Sequence, residues 1–283
     1  MNILISGASG LVGTHLTQMF GKQDDNVVFL GRDDFEGSQQ EMADKVEKAD
    51  VVIHLAGAPI VARWTAAHKK AILNSRINTT YLLVHAMELA KRKPLMFIST
   101  SAVGIYADGA VNTEKDAQLA EGFLSEVCQR WEAEALAARS VTKVAIFRFG
   151  VILARDGGAL QQMLPPFKLG LGGPITGGKQ GFSWIHIDDL MRAYRFVIER
   201  KLDGIFNLTA PQITDNALFT KELAAALNRP AVMPIPAFGL RLAYGEGAVS
   251  LTTGQKVLPE RLLNEGFEFR YPDLKKAFGE LLT

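Results

Sequence analysis

Apolar and polar positions along the chain follow two rhythms. Short runs in which nearly every residue is apolar, NILIS (2–6), VVFLG (27–31), VVIHLAG (51–57), LMFISTS (95–101) and KVAIFRFG (143–150), alternate with longer stretches that are apolar every third or fourth position. The continuous runs suit strands buried on both faces, and the longer period suits helices packed over them. Helices are predicted over LVGTHLTQMF (11–20), near Gln39 to Lys48, from about Thr65 to Arg92, and from about Gly122 to Arg139. Strands that alternate with helices require right-handed crossovers, so the fold class is α/β, a doubly wound parallel sheet covered on both sides.

The rhythm changes after Val151. GLGGPITGGKQG (170–181) holds six glycines, which suits an irregular loop whose backbone closely approaches something else. FSWIHIDDL is expected to return to the sheet and to start a helix at an aspartate, and GIFNLTA reads as a further strand. Beyond about Pro211 come a helix (Ala217 to Leu227), a proline-rich connector (MPIPAF) and an alternating strand, GFEFRY, with Phe267, Phe269 and Tyr271 on one face. This divides the chain into a nucleotide-binding core, 1–155 with 183–210 returning to the sheet, and a smaller C-terminal substrate-side lobe, 156–283.

Composition narrows the function. A hydrophobic fraction of 48% over 283 residues supplies a full core. The 31 basic and 30 acidic residues leave a net charge of +1, with no electrostatic footprint for nucleic acid or an anionic membrane. A small-molecule substrate is the expected partner, and the sequence is compatible with a homodimer. The lone Cys128 cannot form an internal disulfide and no charged leader with an apolar signal region precedes the first strand, so a cytoplasmic protein is expected. The longest nearly apolar run, Val51 to Ala62, is too short to span a bilayer.

SGASGLVG places Gly7, Gly10 and Gly13 between the first strand and the first helix. The first glycine permits a sharp turn, the second lets backbone N–H groups approach a pyrophosphate, and the third lets helix and strand pack closely. With strand before and helix after, the array reads as the dinucleotide site of a Rossmann fold, contacted also by Ser9, Leu11 and Val12. The second strand ends VVFLGRDD: Gly31 leaves space and Arg32 follows, favouring the 2'-phosphate of NADP. The opposing reading has Asp33 bind the ribose of NAD while Arg32 is only a solvated loop residue.

SGASGLVG, DVVIHLAGA (50–58), FISTSAVGIY (97–106) and WIHIDDL (184–190) together resemble the extended short-chain dehydrogenase/reductases, the NAD(P)-dependent epimerase/dehydratase family, over nearly the whole chain. FLSEVCQRWEAEA, LPPFKLGLGGPITGGKQGFSWIHIDDL and GQKVLPERLLNEGFEF look like an uncharacterised epimerase-like subgroup whose members sometimes carry a cell-division-inhibitor label. The resemblance implies that His54 to Ala58, including Leu55, Ala56 and Gly57, line the adenine and ribose side of the cofactor. It puts Ser99, Thr100 and Ser101 beside the nicotinamide, and Ser101 where the family keeps a catalytic Ser or Thr. Ser101 could equally be a strand-end hydroxyl bonded to local backbone.

The family's Tyr-x-x-x-Lys pair lies on the helix GFLSEVCQRWEAE (122–134), where the lysine ammonium helps the phenol act as a proton shuttle. Leu124 and Cys128 fall at the two positions, and shifted registers give Val127 and Trp131, or Glu126 and Arg130. None is Tyr and Lys. Arg76 replaces an asparagine that commonly organises the proton relay, with a structural or a cofactor-contacting role open to it. Tyr106 is the tyrosine that follows a strand's carboxyl end, as a proton donor or an aromatic wall for substrate. Trp184 and His186 are expected to face the cleft on the substrate side, His186 as a base or as a structural histidine. His15, His68 and His85 fall on helices without a converging ligand set, so no metal is expected. These features define an atypical NADP(H)-binding reductase or epimerase-like enzyme for a small hydroxyl or carbonyl compound, with a nucleotide sugar suggested by analogy. The alternative is a non-catalytic NADP-binding protein that reports redox state to a partner.

Overall fold

The computed structural model describes residues 1–22 and 25–283. Its strands are Asn2–Ser6 (β1), Asn26–Leu30 (β2), Val51–His54 (β3), Met96–Ala102 (β4), Val111–Asn112 (β5), Lys143–Phe149 (β6), Val151–Leu153 (β7), Trp184–His186 (β8), Gly204–Leu208 (β9) and Lys256–Val257 (β10). Six of them form one sheet in the order β2-β1-β3-β4-β6-β9, with every neighbouring pair parallel. The expected doubly wound sheet is therefore present. Its strand order turns back at β1, which has β2 on one side and β3 on the other. That switch point opens a crevice beyond the carboxyl ends of the strands.

Alternation along each strand divides the core into two layers. Ile3, Ile5, Ile53, Ile98, Phe147 and Phe206 meet Leu16 and Phe20 of the helix Leu11–Gly21, and Leu190, Tyr194 and Val197 of the helix Ile187–Arg200. Leu4, Val52, Phe97, Val144 and Ile146 face the other way, onto Met42 and Val46 of the helix Gln39–Val46 and Leu83 and Met87 of the helix Ile77–Leu89. Burying each such side chain contributes about 1.5–3 kcal/mol, so the sheet is fixed from both faces. A third cluster joins Leu153, Leu160, Phe167 and Trp184 to Phe219 and Leu223 of the helix Asn216–Ala226 and to Leu274 and Phe278 of the helix Leu274–Leu281. Among the described residues no helix is long and apolar enough to cross a membrane.

Four expectations are corrected. The long helix from Thr65 to Arg92 is two helices, Ala66–Asn74 and Ile77–Leu89, parted at Ser75 and Arg76. There Ser75 Oγ accepts the Ala58 N–H (2.8 Å) and Arg76 turns to the crevice, so a tertiary contact interrupts a helical pattern. β8 pairs with β7 in a separate two-stranded sheet, and of 183–210 it is β9 that joins the main one. The helix after β8 is capped by His186, whose Nδ1 accepts the Asp188 N–H (3.1 Å), rather than by an aspartate. Finally, GFEFRY forms no strand. The Arg270 and Tyr271 N–H groups donate instead to the fully buried Asp189 carboxylate (2.8 Å each), replacing a ladder with a side-chain clamp.

Within 170–181, Gly173 and Gly181 do approach something closely, and it is the protein's own backbone. A Cβ on Gly173 would lie 1.8 Å from Met233 O, and one on Gly181 2.3 Å from the Gln255 carbonyl carbon.

Candidate functional site

Gly7 adopts φ +75°, a conformation that L side chains rarely adopt, and a Cβ there would lie 2.9 Å from Ala56 N. A Cβ on Gly13 would sit 2.5 Å from Gly7 O, so this glycine lets the helix Leu11–Gly21 press against the turn. That helix starts at Gly10 with no side-chain cap and no acidic residue in its first turn. Its first-turn N–H groups have no intrahelical partner and form the positive end of the helix dipole, which together suit an anion.

Because Ser6, His54 and Ser99 lie level across β1, β3 and β4, the segments after them emerge along one edge. Two cavities follow that edge and share Gly7 and Gly57. The outer one, about 960 Å³, is lined by Ser9, Ala56, Gly31, Phe35 and Arg32, among others. The inner one, about 420 Å³, is lined by Gly10, Leu11, Val12, Gly13, Leu55, Thr100 and Ser101, with Leu124, Val127, Cys128 and Trp131 of the helix Phe123–Leu136. The structure thus gathers the expected cofactor residues, except Ser99, which is buried and lines neither cavity. Arg32 is exposed and, among the described residues, has no carboxylate within 4.0 Å; Asp33 lines neither cavity.

Leu124 and Cys128 both border the inner cavity, and neither cavity has a tyrosine or a lysine in its lining. Burial, reinforced by the Glu132 carboxylate, pushes the Cys128 thiol up to about 11, so it stays neutral near pH 7. Ser101 is the hydroxyl with a built connection: its Oγ donates to Glu132 Oε1 (2.6 Å). Arg148 of β6 holds the same carboxylate through both oxygens, Nε to Oε1 at 2.8 Å and Nη2 to Oε2 at 2.7 Å.

Tyr106 is corrected as a proton donor to substrate. Its side chain is fully buried, its hydroxyl accepts from Arg148 Nη1 (2.7 Å) and donates to Asn207 Oδ1 (2.7 Å), and it lines neither cavity. Burial raises its pKa, with Arg148 opposing. Trp184 and His186 are likewise removed from the cleft. Trp184 Nε1 donates to Thr214 Oγ1 (3.2 Å) inside the third core cluster, while the His186 ring stacks on Tyr271 (3.8 Å between centroids) with Nε2 at 2.9 Å from Glu280. Sequence reasoning did not nominate Glu132, Arg148 or Asn207. Glu132, four residues after Cys128 on the inner helix face, was the available signal, but its partner lies on another element. Arg76 lines the inner cavity.

A parallel sheet with a glycine turn at its switch point, an uncapped helix start and a cavity running along the strand ends define a dinucleotide-binding α/β protein. Residues 3–209 match the NAD dependent epimerase/dehydratase family, and residues 235–281 match a domain of unknown function, DUF1731. The chain belongs to the NAD dependent epimerase/dehydratase family. It is 36% identical over 294 residues to the mouse epimerase family protein SDR39U1, with 100% of each chain covered. Among solved structures, it is similar to the human epimerase family protein SDR39U1 (isoform 2) with NADPH, at a TM-score of 0.92 and 34% identity, covering 99% of both chains. It also resembles a nucleoside-diphosphate sugar epimerase from Corynebacterium glutamicum, at a TM-score of 0.77 and 31% identity, covering 100% of this chain and 58% of that one.

Proposed function

We propose that this protein is an NADP(H)-dependent oxidoreductase acting on a small hydroxyl or carbonyl compound. The observation that carries the reading is the two-part crevice, with an uncapped helix start at its centre and Arg32 on the wall of its outer half. The free first-turn amides after Gly10 suit the pyrophosphate, and the exposed Arg32 guanidinium suits the 2'-phosphate. The NADPH held by the human relative supports the same choice. When bound, the nicotinamide gives or takes a hydride. Ser101 meets the substrate oxygen: in the oxidising direction its Oγ accepts the substrate hydroxyl proton while its own proton passes to Glu132. Arg148 keeps that carboxylate in position from the opposite side.

Leu124 and Cys128, in place of tyrosine and lysine, favour a second reading, a non-catalytic NADP-binding protein that signals to a partner. Tight NADPH binding without turnover of any carbonyl in a broad panel would select it. The cofactor assignment is tested by calorimetric titration. NADPH is expected to bind at least about tenfold more tightly than NADH, and Arg32→Ala to remove most of the difference, the size of effect a charge-assisted hydrogen bond gives. Equal affinities in the unaltered protein would reject Arg32 as the phosphate partner.

A further inference from the structure

We propose that Arg76 binds an anionic group of the substrate, so that the inner cavity selects a small carbonyl or hydroxyl compound bearing a carboxylate on an otherwise apolar body. This rests on the reading of the crevice as an NADP(H) site. Arg76 sits at the break between the helices Ala66–Asn74 and Ile77–Leu89, partly buried. Its Nη2 donates to Ala58 O (3.0 Å) and its Nη1 to Ile72 O (3.2 Å), with Ser75 Oγ at 3.5 Å. Among the described residues no carboxylate lies within 4.0 Å of it, whereas the buried guanidinium of Arg148 has Glu132. Burial accordingly lowers the Arg76 pKa. A guanidinium has five donor hydrogens and its charge is costly to desolvate unpaired, so the remaining donors call for an anion.

The surroundings define which anion. Among the described residues Arg76 is the one charged residue in the lining of the inner cavity, which otherwise consists of glycines and apolar side chains apart from Thr100, Ser101 and Cys128. Its guanidinium lies 5.2 Å from the centroid of the Trp131 ring, and a Cβ on Gly57 would come 3.0 Å from its Cζ, so the group is fixed between an indole and a backbone. Trp131 walls the same cavity. Its side chain is buried, and among the described residues its buried Nε1 has no hydrogen-bond partner. The donor hydrogens of Arg76 left over after the Ala58 and Ile72 carbonyls match the paired oxygens of a carboxylate. The cofactor's phosphates have their own partners in the glycine turn and Arg32. A sugar would present several hydroxyls to a lining whose other polar side chains are Thr100 and Ser101. The cavity's approximately 420 Å³ must also admit the nicotinamide, which limits the apolar body to about the size of one ring.

The test compares benzoylformate with its neutral methyl ester. Both are ketones whose carbonyl carbon can gain a hydride from NADPH while the oxygen gains a proton through Ser101, leaving the alcohol and NADP⁺. Binding is measured by calorimetry to the NADP⁺-saturated protein, where no turnover occurs. The acid is expected to bind at least about tenfold more tightly than the ester, with the ratio falling close to unity in Arg76→Gln and partly restored in Arg76→Lys. Equal affinities in the unaltered protein, or no binding of either probe, would overturn the proposal while NADP⁺ binding still stands. So would Arg76→Gln losing as much NADP⁺ affinity as acid affinity, because that places Arg76 on the cofactor. Failure of the unaltered protein to bind NADP⁺ would instead remove the underlying reading, and the proposal with it.

Discussion

His54, at the end of β3, is held between Ser6 Oγ (2.5 Å) and Thr79 Oγ1 (3.2 Å) with no exposure to solvent. Burial, with the Arg76 charge adding to it, lowers the imidazole pKa from 6.5 to about 3. A folded-state pKa below the unfolded value means that the unfolded chain takes up the proton first. Stability is therefore complete above about pH 6.5 and declines as pH falls towards 3, by up to about 1.4 kcal/mol per pH unit. Urea denaturation at pH 7 and pH 5 should show a loss of about 2 kcal/mol attributable to this ring. In His54→Gln that part of the slope should vanish; an unchanged slope would show that His54 is not the group responsible. At this scale the sequence was informative where a residue's own conformation decides. Gly7 and Gly13 could be assigned from spacing because a turn and a close crossing tolerate little else. Tyr106 could not, since whether a phenol faces a cleft or a buried arginine depends on β6 and β9.

The helix Phe123–Leu136 shows two kinds of information on one element. Its outward pair, Glu126 and Arg130, is spaced i,i+4 and meets at 3.5 Å between exposed side chains, contributing about 0.2–0.5 kcal/mol. Its inward face divides the labour: Leu124 and Cys128 wall the inner cavity, while Glu132 joins Ser101 of β4 to Arg148 of β6. The two ends of this connection should respond differently to substitution. Ser101→Ala removes a hydroxyl at the cavity and should slow NADPH-dependent carbonyl reduction by about 10²-fold or more while the protein remains folded. Glu132→Ala leaves Arg148 buried without its counter-charge and should lower unfolding free energy by about 3–5 kcal/mol. Steady-state rates at 340 nm and chemical denaturation measure the two; a stable Glu132→Ala protein would show that the ion pair is not structural. The continuous pattern from Thr65 to Arg92 also illustrates what periodicity omits, because Ala58, on a different loop, determines where that helix is interrupted.

For the molecule as a whole, the crevice draws on the turn after β1, the helix after β2, the loop after β3 and the end of β4, so its occupant couples elements that are distant in sequence. A ligand that binds only the folded state stabilises it by about 2.7 kcal/mol at a hundred times its dissociation constant. For a chain of this size that corresponds to a rise of about 4–5 °C in the melting temperature. A thermal scan should therefore show NADPH raising the midpoint well above the shift given by NADH at the same concentration. No shift with either would mean that the crevice is not a dinucleotide site.

The alternation of apolar runs and helical periods specified a parallel doubly wound sheet, because strands buried on both faces and crossover helices leave their periods in the chain itself. The same local logic exposed the glycine turn and Arg32, each legible from neighbouring residues, while the missing Tyr-x-x-x-Lys pair was legible only through the resemblance to the family. The Ser101–Glu132–Arg148 connection, the withdrawal of Tyr106, Trp184 and His186 from the cleft, and the unpaired charge of Arg76 were settled only by packing. In each case the partner that satisfies or fails to satisfy a buried polar group comes from another element, and hydrogen bonding across such distances leaves no period in the sequence.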